Sequence, residues 1–572
     1  MTGRESILTG TRIAVFLLVC VFLVFSNHFD WDFFLGFNEV DRRSWLHDFA
    51  PPRWSYQICA GTTRIADPQA LGLSPLFLLV VVFGTFWGTK MIGLLALGYG
   101  LFASASLYRT FDREGGGTPI ETGTLITLAT LFVLSNFFMW HLMVGHFTFF
   151  TFFLGLGIAG YTLKGFCVGL SRREFAIAVL VTWQHYSGSF FHSTAYFLVP
   201  FLAAFGFFAV YRLIESTRSR GGSIRDWLRR VFNCSAFHVV GVLIASYKLI
   251  PVWQYQQQFP RNLKTTLDSS SVVEFLAYNF MPTWQDDWLL SFDQLGKWAV
   301  HEYSAFSLFP IVLLALSAQF FLERIRDGAE VRRDVPLHPL TGFVVIYLVL
   351  CTLLTLGDFA RNAPYTLFNN YVAEGAVRIA ARFCIGVTLA MSLGCVLLLK
   401  RLRIASLPPL FQFGLLMLLA ANIAGFAWML DYEKTAGLWG PAASNEKTVR
   451  TLQYIRLHSL RSNLKRGQEL NVNNSTSMYP TLRTGLGVIN CYNPLQAQDN
   501  FFLPPRRKLG LISTEIGNPS RECLENSHYA QNRVHIDPSC PQEVCLNVAW
   551  INPNEATEGI RWNPEREQHC RE

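Results

Sequence analysis

Apolar runs alternate with short polar gaps over the first three quarters of the chain, and the remainder is polar. The runs are Ser6–Ser26, Gly88–Tyr108, Thr122–Trp140, Phe147–Leu163, Phe175–His185, Phe190–Tyr211, Val231–Val252, Trp298–Leu322, Leu340–Leu356, Ala380–Leu399 and Pro409–Leu430. Most approach the roughly 20 residues that a membrane-crossing helix needs. The pattern predicts a mainly α polytopic membrane protein, with about eleven spans. Phe175–His185 is short for a span and is expected to tilt, kink or extend.

Basic gaps set the expected orientation. Lys164, Arg172 and Arg173 mark one cytoplasmic loop, and Arg212 to Arg230 a second. Arg324 to Arg333 and Lys400 to Arg403 mark two more, and Arg4 and Arg12 place the N-terminus inside. These assignments agree in parity only if the stretch from Leu71 to Tyr108 crosses once. Leu73–Phe86 is therefore expected to be interfacial or re-entrant, with Gly88–Tyr108 as the crossing. Ile13–Ser26 behind Arg4 and Arg12 also has signal-peptide form. A retained span is the preferred reading, because cleavage would detach the acidic loop that follows.

Composition agrees with the pattern. Of 572 residues, 51% are hydrophobic, 49 are Phe and only 15% are charged, against about 25% charge in a soluble protein. The net charge of +8 comes from short loop clusters. No basic stretch is interleaved with aromatics, so no nucleic-acid partner is expected. Five of the 12 cysteines (Cys491, Cys523, Cys540, Cys545 and Cys570) lie in the polar tail, which suits an oxidising compartment. Expected domains are a transmembrane unit over 1–432, with a first outer loop at 28–87, and a small mixed or β-rich extracytoplasmic domain over 433–572.

On this orientation the unusual polar residues fall on the outer face. Asp30, Asp32 and Glu39 open the first outer loop, where charge beside lipid is costly unless paired or used. His146 starts one span, His185 and His192 flank a hairpin, and Lys248 sits at a span end before Pro251. Arg261, then His301 and Glu302, lie in or after the long outer segment from Trp253 to Lys297. Arg378 and Arg382 open the Ala380 run. Their spacing of four predicts two guanidiniums on one helix face, at an N-terminus that already favours anions. Such forks match phosphate oxygens, and a lipid phosphate is the natural ligand. Snorkelling to headgroups or pairing with Glu374 are the plainer roles.

Several blocks resemble bacterial YfhO-like membrane proteins of the GT-C glycosyltransferase superfamily. The first loop carries most of the likeness. Its blocks are Phe29-Asp30-Trp31-Asp32, Glu39, Arg42-Arg43-Ser44, Pro52-Arg53-Trp54, Cys59-Ala60-Gly61, Asp67-Pro68-Gln69 and Leu73-Ser74-Pro75. Later blocks are Gly145-His146, Lys248-Leu249-Ile250-Pro251, Phe259-Pro260-Arg261, His301-Glu302-Tyr303, Arg378 through Phe383, and Gly487 through Tyr492. Arg53-Trp54-Ser55 and Ala60 depart from the family pattern.

The resemblance implies a GT-C-like bundle and an inverting-type sugar transfer from a polyprenyl-phosphate donor. The acceptor would be an envelope glycan, lipid or protein on the outer face of a bacterial inner membrane. Asp30 or Asp32 would be the general base. Glu39, His146, His301 and Glu302 would support the acceptor or the acid–base step. Lys248, Arg261, Arg378 and Arg382 would hold the phosphate. No metal or other cofactor is predicted, although two near-adjacent aspartates are able to hold a divalent ion. The alternatives are a non-catalytic scaffold or subunit of an envelope complex with the same fold, and behind it a transporter. Transporters place polar groups at mid-membrane and carry repeats, and neither is visible here.

Overall fold

A computed structural model describes residues 3–26, 33–47, 49–55, 62–143, 146–218, 223–258, 275–276, 305–326, 338–360, 362–373, 375, 377 and 379–435. Beyond these it describes only short strand segments between 469 and 571. The described residues up to 435 build a helical bundle. In chain order its helices are α1 Gly3–Ser26, α2 Phe33–His47, α3 Leu78–Phe83, α4 Thr85–Glu114, α5 Thr122–Val133, α6 Asn136–Met143, α7 Thr151–Cys167 and α8 Arg172–Ser187. Then come α9 Phe191–Ser193, α10 Val199–Arg218, α11 Ile224–Ile244 and α12 Ser246–Gln258. Phe309–Arg326, Thr341–Thr355, Pro364–Tyr371, Cys384–Arg401 and Pro409–Thr435 follow among the described residues.

The apolar pattern becomes helix as expected, with breaks it did not locate. Thr85–Glu114, Phe191–Glu215 and Ala380–Arg401 are long and apolar enough to cross a membrane. Two more runs qualify only as bent pairs: α5 with α6, bent by 50°, and α11 with α12, bent by 76°. The second bend falls at Ala245, so Lys248 lies past the corner rather than within the last turn of a straight span. The Phe175 run is longer than its apolar part, because α8 begins at Arg172 under a Ser171–Glu174 capping box. Leucines, valines and phenylalanines stay exposed around the bundle, Phe207 at 65% and Leu243 at 65% among them. That is the surface of a protein whose solvent on that side is lipid.

Between lipid-facing helices the hydrophobic effect supplies little, and cohesion comes from close packing and polar clips. Helices α4 and α7 pack where Tyr99 lies over Gly157; a Cβ built on Gly157 would sit 2.0 Å from the tyrosine oxygen. At the end expected to be cytoplasmic, Asp112 is a hub. It accepts from Arg109 at 2.8 Å, Lys400 at 3.0 Å and the Ile120 N–H at 2.9 Å. Arg109 also donates to Thr122 and the Ile120 carbonyl. One carboxylate therefore ties the end of α4 to the start of α5 and the end of Cys384–Arg401.

The stretch before α4 does not continue it. Pro75–Phe77 forms a 3-10 turn, α3 follows, and Gly84 turns the chain at φ 82°. Helix α3 then lies against α4 so closely that a Cβ on Gly88 would sit 2.4 Å from Val80 Cα and 2.5 Å from Leu79 O. Both obstacles are backbone. Gly88→Ala is expected to lower stability by about 1–3 kcal/mol through overpacking, read as a lower melting temperature in detergent.

In the tail, Glu469–Leu470 pairs in parallel with Gly487–Val488 and antiparallel with Trp550–Ile551. His528–Ala530 pairs with Arg533–His535, and Val544–Leu546 with His569–Arg571.

Candidate functional site

The described part of the loop ahead of α4 folds around a buried arginine. Arg64 is 1% exposed. Its Nε and Nη2 donate to Asp41 Oδ1 at 2.7 Å and Oδ2 at 2.9 Å, and Nη1 donates to Asp67 Oδ2 at 2.6 Å. Its guanidinium also covers the Phe37 ring at 4.7 Å. Asp67 Oδ1 turns the chain by accepting the Gln69 N–H at 2.8 Å. Burial pushes the Asp41 carboxyl above its usual range, against the opposing pull of Arg64. Burial acts to lower the Arg64 pKa, but Asp41 and Asp67 outweigh it and hold the guanidinium above its ordinary value.

Helix α2 carries Asp41 and is itself pinned to α4. Glu39 accepts from Thr85 at 2.5 Å and Arg43 at 2.9 Å, with Arg42 at 3.9 Å. Asn38 donates to Thr89 at 3.3 Å. Trp45 Nε1 donates to the Gly72 carbonyl at 2.9 Å.

Lys248 fastens the loop to the bundle. It is fully buried. Its ammonium donates to the carbonyls of Ala70, Gly188 at 2.8 Å and Ser187 at 3.2 Å. Those three acceptors match the three donors of an ammonium. Around it, the Tyr247 hydroxyl lies 2.8 Å from Ser187 Oγ and 3.2 Å from the Leu73 carbonyl, and Gln184 donates to Ser74.

From this loop a line of contacts runs to Arg382. The Gln69 side-chain amide reaches His192 Nε2 at 3.5 Å. His192 stacks on Tyr196 with the rings 6.1 Å apart and 9° from parallel. Arg382 Cζ lies over the other part of the line, 5.6 Å from the Tyr196 ring centre. The Tyr196 hydroxyl accepts the Ile379 N–H at 3.3 Å. Just upstream, Val377 is held through both backbone groups: its carbonyl accepts from Tyr365 at 2.7 Å and its N–H donates to Asn369 at 3.1 Å.

Arg382 itself is only 6% exposed and sits in a 3-10 turn, Ala380–Phe383, ahead of the long helix. Ile379 is extended, with φ −118° and ψ 100°. The expectation of two arginines on one helix face involves Arg378, which lies outside the described residues; of that pair the structure describes Arg382.

His146 lies beside a histidine that the sequence reading passed over. Its Nδ1 is 3.0 Å from Nδ1 of buried His141, within hydrogen-bond distance. His185 is buried and within 3.0 Å of Thr194 Oγ1, inside the bundle rather than at a hairpin surface. Lys90 was also missed. It is 1% exposed and sits 4.4 Å from the Phe86 ring centre and 5.5 Å from that of Trp87. A lone lysine in an apolar helix was its available signal. Tyr196 had no such signal, being one aromatic in a run of them.

Asp30, Asp32, Arg261, His301, Glu302 and Arg378 lie outside the described residues, as does Glu374. Among the described residues no three His, Cys, Asp or Glu side chains gather as a metal site.

No family model matches this chain, and no curated protein matches it. Among solved structures it is similar to the arabinofuranosyltransferase AftD from Mycobacteria, with 15% identity and a TM-score of 0.41 over 78% of this chain and 29% of that one. It is also similar to the oligosaccharyltransferase AglB from Archaeoglobus fulgidus, solved with an inhibitory peptide and a dolichol-phosphate. That match has 12% identity and a TM-score of 0.38, over 88% of this chain and 62% of that one. The chain thus spans less than a third of AftD and about three fifths of AglB.

Proposed function

We propose that this protein is a GT-C-type, inverting membrane glycosyltransferase. It moves a sugar from a polyprenyl-phosphate carrier to a glycan, lipid or protein of the cell envelope, on the face that carries the first loop. The observation that carries this reading is the meeting of that loop with Arg382 at one end of the bundle, through Gln69, His192 and Tyr196. Sugar transfer from a lipid phosphate needs a base beside the acceptor hydroxyl and a cation beside the departing phosphate. The two must lie within one headgroup of each other.

In this reading Asp30 or Asp32 takes the acceptor proton, because both precede the helix that Glu39 pins to α4. Arg382, with Arg378 and Arg261, offsets charge growing on the phosphate. His146, with His141 at its back, and the His301–Glu302 pair serve the acceptor or the leaving oxygen. Lys248 takes a different role from the one its position suggested. With its donors aimed at three carbonyls, it positions the loop and leaves phosphate binding to the arginines.

A second reading keeps the architecture without the chemistry. Asp41, Asp67 and Arg64 satisfy one another, as a scaffold's charges would. One experiment separates the two. Cells expressing the protein, or its Asp30→Asn or Asp32→Asn form at equal level, are compared for surface glycans and lipid-linked sugars. At least one variant is expected to lose a surface glycan and accumulate its lipid-linked precursor. Identical profiles in all three strains favour the scaffold.

A further inference from the structure

We infer that Tyr196 is the positioning residue for Arg382. Its ring is the platform that fixes the guanidinium, and its link through His192 to Gln69 sets that guanidinium in register with the first loop. The inference rests on the reading of Arg382 as a phosphate ligand and adds the residue that aims it.

Four observations lead there. First, Tyr196 stands in a π-turn, Thr194–Leu198, inside an otherwise α-helical rod. A π-turn inserts one extra residue and rotates the side chains that follow, and such turns concentrate at functional sites. Second, the Tyr196 ring holds neighbours on two elements, with His192 stacked at 6.1 Å and Arg382 at 5.6 Å. Third, its hydroxyl accepts the N–H of Ile379, the extended residue before the turn that carries Arg382. One side chain thus holds both the backbone entering that turn and the cation leaving it. Fourth, Phe383 meets the same ring edge-on at 5.0 Å, which fixes the turn from its far side.

The physical logic is pre-organisation. A free arginine loses side-chain freedom when it binds a phosphate, and that loss subtracts from affinity. An arginine already laid on an aromatic face has lost much of it beforehand. The cation–π contact uses the face of the guanidinium, and its N–H groups lie in the plane at right angles to that contact. Burial strengthens the contact by removing competing water.

The test measures binding of undecaprenyl phosphate, and separately of inorganic phosphate, to the full-length protein in detergent. Wild type is compared with Arg382→Ala, Tyr196→Leu and Tyr196→Phe, each with its melting temperature. Arg382→Ala is expected to weaken undecaprenyl phosphate at least tenfold, as loss of a charge-assisted contact does. Tyr196→Leu is expected to weaken it about tenfold, the scale of a desolvated cation–π contact. Tyr196→Phe keeps the face, loses the Ile379 bond, and is expected to weaken it about threefold. Inorganic phosphate should follow the same order if the site reads the phosphate alone. If only the lipid form follows that order, the site reads phosphate and chain together.

Two failures are distinguishable. Unchanged binding in Arg382→Ala overturns the phosphate reading and this inference with it. A weakened Arg382→Ala beside a wild-type-like Tyr196→Leu overturns this inference alone. Should Tyr196→Leu not fold, Tyr196→Phe decides, and wild-type affinity there overturns the positioning role.

Discussion

Arg64→Ala is expected to unfold the first loop and to cost about 3–5 kcal/mol, the scale for leaving a buried charge without its partner. The side chain makes three hydrogen bonds to two carboxylates, all buried. Removing it leaves Asp41 and Asp67 facing each other, with the Lys248 ammonium committed to carbonyls. Like charges in low dielectric cannot both stay ionised, so at least one carboxyl takes up a proton or the loop opens to water. The checks are a melting curve in detergent and limited proteolysis, which should cut faster within residues 49–77. Arg64→Lys should recover only part of the loss, because an ammonium cannot reproduce the bidentate fork. Replacing all three by apolar residues of similar size should recover more, since desolvation is then relieved along with attraction. A melting temperature for Arg64→Ala within a degree or two of wild type would remove the cluster from the account of how the loop is held.

Lys248→Met is the second large effect, about 3–5 kcal/mol, the scale of three buried acceptors losing their donor together. Methionine fills the volume but leaves the carbonyls of Ala70, Ser187 and Gly188 without their donor. Each buried acceptor left unmet costs about 1–3 kcal/mol, less where the loop relaxes. The change also removes a positive charge felt by Asp41. Loss of stability should therefore accompany loss of any transfer activity, and proteolysis should again begin in the loop. The sequence alone suggested a different outcome. A lysine at a span end that binds lipid phosphate would give a Met variant that melts like wild type and loses only affinity for undecaprenyl phosphate. That result would return Lys248 to the phosphate site.

These two variants show where reading the chain succeeded and where it stopped. Each apolar run coincides with helix among the described residues, while α2 and Pro364–Tyr371 lie outside the runs; a membrane helix is specified locally by some twenty apolar residues and its own backbone bonds. The single crossing between Leu71 and Tyr108 is a parity argument; what the folded structure adds is local geometry, with a turn at Gly84, no Cβ at Gly88, and α3 lying down on α4. The bends at Leu134–Ser135 and Ala245 were not visible, because a break that keeps the segment apolar leaves hydropathy unchanged. The 3-10 turn that carries Arg382 was not visible for a related reason: the side chains that hold the backbone at Val377 and Ile379, those of Tyr365, Asn369 and Tyr196, lie outside the run they shape.

Local chemistry determined that this chain is apolar, helical and membrane-bound, and that its unusual charges sit in loops and at span ends. Residue type and spacing are enough for that, since lipid tolerates charge in few other places. What each charge does was decided only when distant segments met. Asp41, Arg64 and Asp67 became one buried knot, Lys248 became a clip across 178 residues of chain, and Tyr196 became the seat of Arg382. Burial and partner set a charged group's role, and both belong to the tertiary fold.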